Sequence, residues 1–233
     1  MKDLKARKFA PVYVLMGDEP FYIDKICDYI AENVLQPEER DFNQTVLFGA
    51  DTTAVQVVDQ CKGYPMMAEF RVVIVKEAQN LKSLDALEKY LEKPVKSTVL
   101  VICNKNGSID RRKKFIPRAE QVGVVFESKK KRDYELPAFI EAYLKRNHVA
   151  IDTKSAAMIA ERIGADLSRL ISELDKVMIS LPDDDRRVTP DVVEREIGVS
   201  KEFNIFELKT AIIERNVFKA NQIVKYFDKN PKA

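Results

Sequence analysis

The chain has 233 residues, 45% of them hydrophobic and 33% charged, enough apolar material to bury a sizeable core in one large domain, alone or with a smaller companion. Its 39 lysines and arginines stand against 37 acids, a formal charge of +2, which excludes the global cationic excess of a protein that coats nucleic acid and confines any such contact to local patches. Cys27, Cys61 and Cys103 lie in apolar runs without C-x-x-C spacing and are expected as reduced core residues of a cytoplasmic protein. The charged stretch from Met1 to Lys8 leads into too few apolar residues for a signal peptide or a membrane span.

In chain order, β-rich runs at Val12–Met16, Thr45–Phe48, Arg71–Val75, Thr98–Cys103 and Val122–Phe126 alternate with helical patterns. Ile23, Ile26, Cys27, Ile30 and Val34 repeat at helical spacing, as do Leu81, Leu84, Leu87 and Leu91. This alternation predicts an α/β fold with a mostly parallel sheet. A further helix carries Leu136, Phe139, Ile140, Tyr143 and Leu144. Strand signals stop after Val149, which places a boundary between Asn147 and Asp152: an α/β domain over 1–148, then a small helical domain over 149–200.

The clearest helix of that second domain shows Leu167, Leu170, Ile171, Leu174, Val177, Met178 and Leu181 on one face. Thr189-Pro190 supplies an N-cap with proline at the first helical position, and Gly198 stands where a helix ending at Ile197 would place its left-handed residue. Two last patterns follow, Ile205, Leu208, Ala211 and Ile212, then Ala220, Ile223, Val224 and Phe227, opened by Asn204 and Asn216. They read as the truncated beginning of a third, helical domain over 201–233, or as a hairpin folded back on the preceding helices.

Catalytic chemistry is hard to place. A phosphate loop needs glycines whose flanking amides surround the phosphates, a lysine for their charge and a hydroxyl for magnesium. The first strand runs instead into Gly17-Asp18-Glu19-Pro20-Phe21, where two acids repel a triphosphate and a proline removes a donor. Those acids suit a helix N-terminus. Where such ATPases end a later strand in a magnesium-binding acid, Lys76 stands, with Glu77 one residue out of register. His148 is the sole histidine, and Asp183-Asp184-Asp185 before Arg186-Arg187 reads as a solvated turn, with metal binding the alternative. No cofactor and no metal are expected.

Three segments, by their order and spacing, resemble the delta subunit of the bacterial DNA polymerase III clamp loader: Pro11 to Phe21 (PVYVLMGDEPF), Pro65 to Val75 (PMMAEFRVVIV), and Gly164 to Leu170 (GADLSRL) with Glu173-Leu174-Asp175-Lys176. The resemblance implies an AAA+-like module without nucleotide-binding motifs, followed by a helical lid and the opening of a helical collar. It implies no intrinsic activity, but membership of a DNA-directed DNA polymerase holoenzyme. Its partners would be the sliding clamp (beta subunit), ATPase subunits of gamma/tau type, a delta-prime-type subunit, and DNA through the assembled complex, with no membrane.

The family commonly carries two large apolar residues after the proline matched here to Pro65, and these insert into a hydrophobic pocket of the clamp. The corresponding positions are Met66 and Met67, with Phe70 close behind. On their own, consecutive methionines read as core residues. Tyr64-Pro65 before and Glu69 after mark a helix-to-strand connection, where the resemblance implies an exposed, adaptable wedge. Gly17, Lys76, Asn104 and Arg169 then become vestiges of a nucleotide site, although Asn104 with Gly107 also reads as turn chemistry and Arg169 as an ordinary helix charge.

Two basic runs, Arg111-Arg112-Lys113-Lys114 and Lys129-Lys130-Lys131-Arg132, read as solvated faces or as contacts to a DNA backbone. Two other function classes stay open on sequence alone. A nucleotide-dependent enzyme with an atypical phosphate site predicts ATP or GTP binding in magnesium. A stand-alone nucleic-acid-binding protein predicts tight, salt-sensitive DNA binding by the isolated chain.

Overall fold

The computed structural model describes residues 2–197 and 205–229. Each of the five β-rich runs forms a strand: β1 Val12–Gly17, β2 Gln44–Phe48, β3 Arg71–Lys76, β4 Thr98–Lys105 and β5 Val124–Ser128. They pair in the order β2-β3-β4-β1-β5, with every pairing parallel. Central strands of a parallel sheet are covered on both faces and so read as unbroken apolar runs. β1 accordingly has all its residues buried.

The two-residue period of a strand divides those side chains between two layers. On one face Val12, Val14, Met16, Leu100 and Ile102 pack with Val57 and Cys61 of the helix Ala54–Lys62 and with Phe115 and Ile116 of the helix Phe115–Val122. On the other, Tyr13, Leu15, Val99, Val101 and Cys103 meet Ile23, Cys27 and Ile30 of the helix Pro20–Asn33. All three cysteines are buried free thiols. Desolvation pushes the Cys61 thiol up to about 12, which holds it neutral as a packing group.

Local chemistry accounts for the departures from the sequence reading. The expected single helix through Leu81, Leu84, Leu87 and Leu91 is replaced by 3₁₀ turns at Ala78–Asn80 and Leu84–Leu87 and a one-turn helix at Glu88–Leu91. Ser83 sits at φ 59°, a left-handed break that no continuous helix accommodates. The helix Ala54–Lys62, expected ahead of Tyr64 only through the helix-to-strand connection, opens on a capping box: Thr53 Oγ1 accepts from Gln56 N at 3.3 Å, and Gln56 Oε1 accepts from Thr53 N at 2.9 Å. β5 starts at Val124, two residues late, because the preceding helix runs through Val122.

The chain divides into two compact units, 1–130 and 131–233. The helix Leu136–Arg146, expected to close the first domain, packs against Thr153–Ile163 in the second unit. Its Tyr143 hydroxyl donates to Asp175 Oδ1 of the helix Leu167–Ser180 at 2.7 Å. Burial and that carboxylate push the tyrosine pKa up to about 12.

Strand structure does not stop at Val149 as expected: Ala150–Ile151 pairs in parallel with Arg187–Val188. The latter strand leads into Pro190–Glu196, capped by Thr189 Oγ1 accepting from Val192 N at 3.4 Å. Gly198 and Asn204 lie outside the described residues. Both expected final helices form, Ile205–Ile213 and Val217–Lys229, and they pack on one another. Among the described residues no helix is long and apolar enough to cross a membrane.

Candidate functional site

Open parallel sheets bind ligands at the carboxyl ends of their strands, and Gly17, Lys76 and Asn104 lie along that edge, near the ends of β1, β3 and β4. Here the chain fills the edge with itself. Gly17 N–H donates to Gly107 O at 3.0 Å, the Asn104 side-chain amide donates to the same oxygen at 2.8 Å, and Ile109 N–H reaches Met16 Sδ at 3.4 Å. Gly17 has φ 133°, and a Cβ there would lie 1.9 Å from Ser128 O. The glycine is thus required by the close approach of β5 to the β1 turn.

Next in the chain, Glu19 N–H donates to Ser128 O at 3.3 Å, and Glu19 Oε1 accepts from Phe21 N at 3.0 Å as the cap of Pro20–Asn33. Glu19 is buried, so its carboxylate occupies the helix N-terminus at which an anion would be held. The residues present do not fit a triphosphate.

Lys76 closes β3 with its carbonyl accepting from Gly49 N at 2.8 Å; Glu77 is exposed, at φ 52°, and outside the strand. Arg169 lies in the second unit, its backbone N–H on Asp166 Oδ1 at 3.0 Å. His148 is an exposed turn residue at φ 58°, and Asp183, Asp184 and Asp185 are exposed. Among the described residues no three histidine, cysteine or acidic side chains gather to hold a metal.

The connection between Ala54–Lys62 and β3 is built differently. Met66 is 60% exposed, and Met67 is fully exposed at 101%. Met67 takes φ 53°, a left-handed turn for a non-glycine residue. Tyr64 is exposed, and Pro65 half-buried. Both ends of the loop are fastened: Thr98 Oγ1 donates to Cys61 O at 2.8 Å, and Arg71 Nη2 donates to Gln60 Oε1 at 2.7 Å. Phe70, grouped with the methionines in the sequence reading, is half-buried edge-on against Phe9 with centroids 5.7 Å apart, so it anchors the loop to the core.

The middle of the loop is held by a residue that sequence reasoning missed. Asn43 is fully buried; its Oδ1 accepts from Met66 N at 2.6 Å, and its Nδ2 donates to Met66 O at 2.9 Å and to Glu39 O at 3.0 Å. One side chain thereby satisfies both main-chain polar groups of Met66 from 23 residues away.

The sequence model of the family described as DNA polymerase III, delta subunit, matches residues 13–129, half of the chain. This chain belongs to the DNA polymerase III delta subunit family. Among its relatives is the DNA polymerase III subunit delta of Bacillus subtilis (strain 168), 28% identical over 232 residues that cover 95% of this chain and 67% of the relative. The solved Bacillus subtilis DNA clamp loader delta protein superposes with a TM-score of 0.77 at 27% identity, covering 100% of this chain and 71% of that one. The Thermotoga maritima RuvB Holliday junction branch migration motor, at 19% identity and a TM-score of 0.51 over 88% of this chain and 69% of its own, shares the AAA+ fold.

In this delta-family chain the first basic run is largely neutralised from within. Arg111 pairs with Glu120 at 2.9 Å and Glu127 at 3.0 Å, and Arg112 pairs with Asp110 at 2.8 Å. Lys113 and Lys114 are exposed. The Arg111 guanidinium and the Ser108 hydroxyl hold the Glu127 carboxyl below its ordinary range. Arg111→Ala is therefore expected to raise the Glu127 pKa toward the usual carboxylate value, read by carboxyl carbon shifts in an NMR pH titration. An unmoved midpoint would mean that the ion pair is not formed. The second run crosses the division between the units: Lys129 and Lys130 end the first, while Lys131 lies over the Phe139 ring at 5.5 Å and Arg132 is exposed in the second.

Proposed function

We propose that this delta-family chain is a clamp-loader subunit that docks on the ring-shaped sliding clamp through Met66 and Met67 and helps to open it for DNA. On this reading it binds no ATP of its own, and ATPase subunits of the same loader drive the cycle. The observation that carries the proposal is a pair of methionines projecting from a loop held by hydrogen bonds at the Cys61 carbonyl, at both main-chain groups of Met66 and at the Arg71 side chain. A surface methionine side chain loses favourable burial, and the loop holding this pair is tied down by hydrogen bonds at both ends and at Met66, which is the form of a preorganised docking element.

Burying the two side chains in an apolar pocket removes roughly 100–200 Å² from water, worth about 2–4 kcal/mol. Their flexible thioethers adapt to the pocket's shape. Ring opening needs more than grip, because a ligand shifts an equilibrium only by its differential affinity; the loop must bind the strained or open interface better than the closed one. The filled carboxyl edge of the sheet, with Glu19 at the helix N-terminus, supports the absence of nucleotide chemistry. In the same reading residues 149–200 act as the helical lid and 201–233 open a helical collar through which the loader subunits assemble in the cytoplasm. Lys113, Lys114, Lys129 and Lys130 face passing DNA in that assembly, adding salt-dependent contacts.

The test is the double variant Met66→Ala with Met67→Ala. Affinity for the sliding clamp of the same organism is expected to fall at least tenfold, about 1.4 kcal/mol, with the melting temperature unchanged because both side chains are exposed. Normal binding, or a variant that unfolds, refutes the assignment.

A further inference from the structure

We propose that the docking surface is composite: Phe42 is a second apolar anchor for the same clamp partner, held beside the methionine loop by Asn43. The inference rests on the reading of Met66 and Met67 as a clamp-docking pair and extends it to a segment that neither motif nor spacing connects with them.

Phe42 is 64% exposed at the end of the short helix Arg40–Asn43, immediately before the fully buried Asn43. A scattered surface aromatic needs no explanation, but this one is tied to the loop. The Asn43 side chain bonds both main-chain groups of Met66, and its third bond, to Glu39 O, fixes it to the backbone of its own segment. With one side-chain reach, one hydrogen bond and one peptide step between them, the Cα atoms of Phe42 and Met66 lie within roughly 11 Å. That separation is small enough for one partner seated on the methionines to cover Phe42 as well.

Area argues the same way. Two methionine side chains supply roughly 100–200 Å², whereas a stable partner interface takes about 800 Å² from each side. The neighbouring surface must contribute. A protruding aromatic with polar neighbours, here Arg40 and Asp41, has the composition of an anchor within a wet rim.

The test measures sliding-clamp binding by the full chain carrying Phe42→Ala, alongside Met66→Ala with Met67→Ala. Phe42→Ala is expected to weaken binding at least fivefold, with an unchanged melting temperature, and the triple variant to show no measurable binding. If Phe42→Ala binds normally while the methionine variant loses tenfold, the composite surface is wrong and the methionine reading stands. If neither variant loses affinity, both readings fall. A lowered melting temperature for Phe42→Ala would assign the ring to folding and also overturn the proposal.

Discussion

Gly17→Ala is expected to destabilise the chain by at least ~3 kcal/mol, because a methyl group at this position meets main-chain atoms that cannot rotate away. The added Cβ would sit 1.9 Å from Ser128 O and 2.7 Å from Ser128 C and N, at a φ of 133° that L residues rarely adopt. Relief requires β5 to move off β1, which disrupts the register Leu15 to Phe126 and the packing behind it. For a chain of this size that loss lowers the melting temperature by roughly 6–12 °C. Gly107→Ala separates the two causes: φ is 151° there, yet nothing lies within 4 Å of a new Cβ, so only backbone strain of about 1–3 kcal/mol applies. Equal effects at the two glycines would show that the strand contact does not matter.

Asn43→Ala is expected to cost about 2–3 kcal/mol, since it removes three hydrogen bonds from a fully buried side chain and leaves both main-chain groups of Met66 without their partner. Thermal unfolding measures the loss. Asn43→Asp preserves shape but not donors: a carboxylate accepts from Met66 N–H and cannot donate to Met66 O or Glu39 O. It is therefore expected to fail as a rescue, and a variant as stable as the parent would show that the carbonyl contacts carry no weight.

The sheet was legible because parallel strands buried on both faces leave unbroken β-branched runs, as in Arg71–Lys76 and Thr98–Lys105. The leucine repeat from Leu81 to Leu91 misled because period alone cannot see the left-handed Ser83, although three of its four leucines are buried as a helix face would have them. The helix before Tyr64 was implied by the helix-to-strand connection, but its start, signalled by the T-x-x-Q box at Thr53, was overlooked. That the helix Leu136–Arg146 packs on Thr153–Ile163 is a choice of partner that no local pattern encodes.

At the candidate site, Tyr64-Pro65 and Glu69 marked the connection that carries the methionines. The role of Asn43 was illegible: one asparagine ahead of a strand looks like any turn residue, and its bonds to Met66 exist only once β2 and β3 pair. The same holds for Arg111 and Arg112, whose acidic partners Glu120, Glu127 and Asp110 turn an apparent basic patch into ion pairs.

The most direct measurement labels the methyl groups of the six methionines and follows their NMR signals as unlabelled sliding clamp is added. The docking account predicts that Met66 and Met67 shift beyond the general line broadening, while buried Met16 keeps its position. A bound complex in which the Met66 and Met67 signals stay unshifted would contradict it.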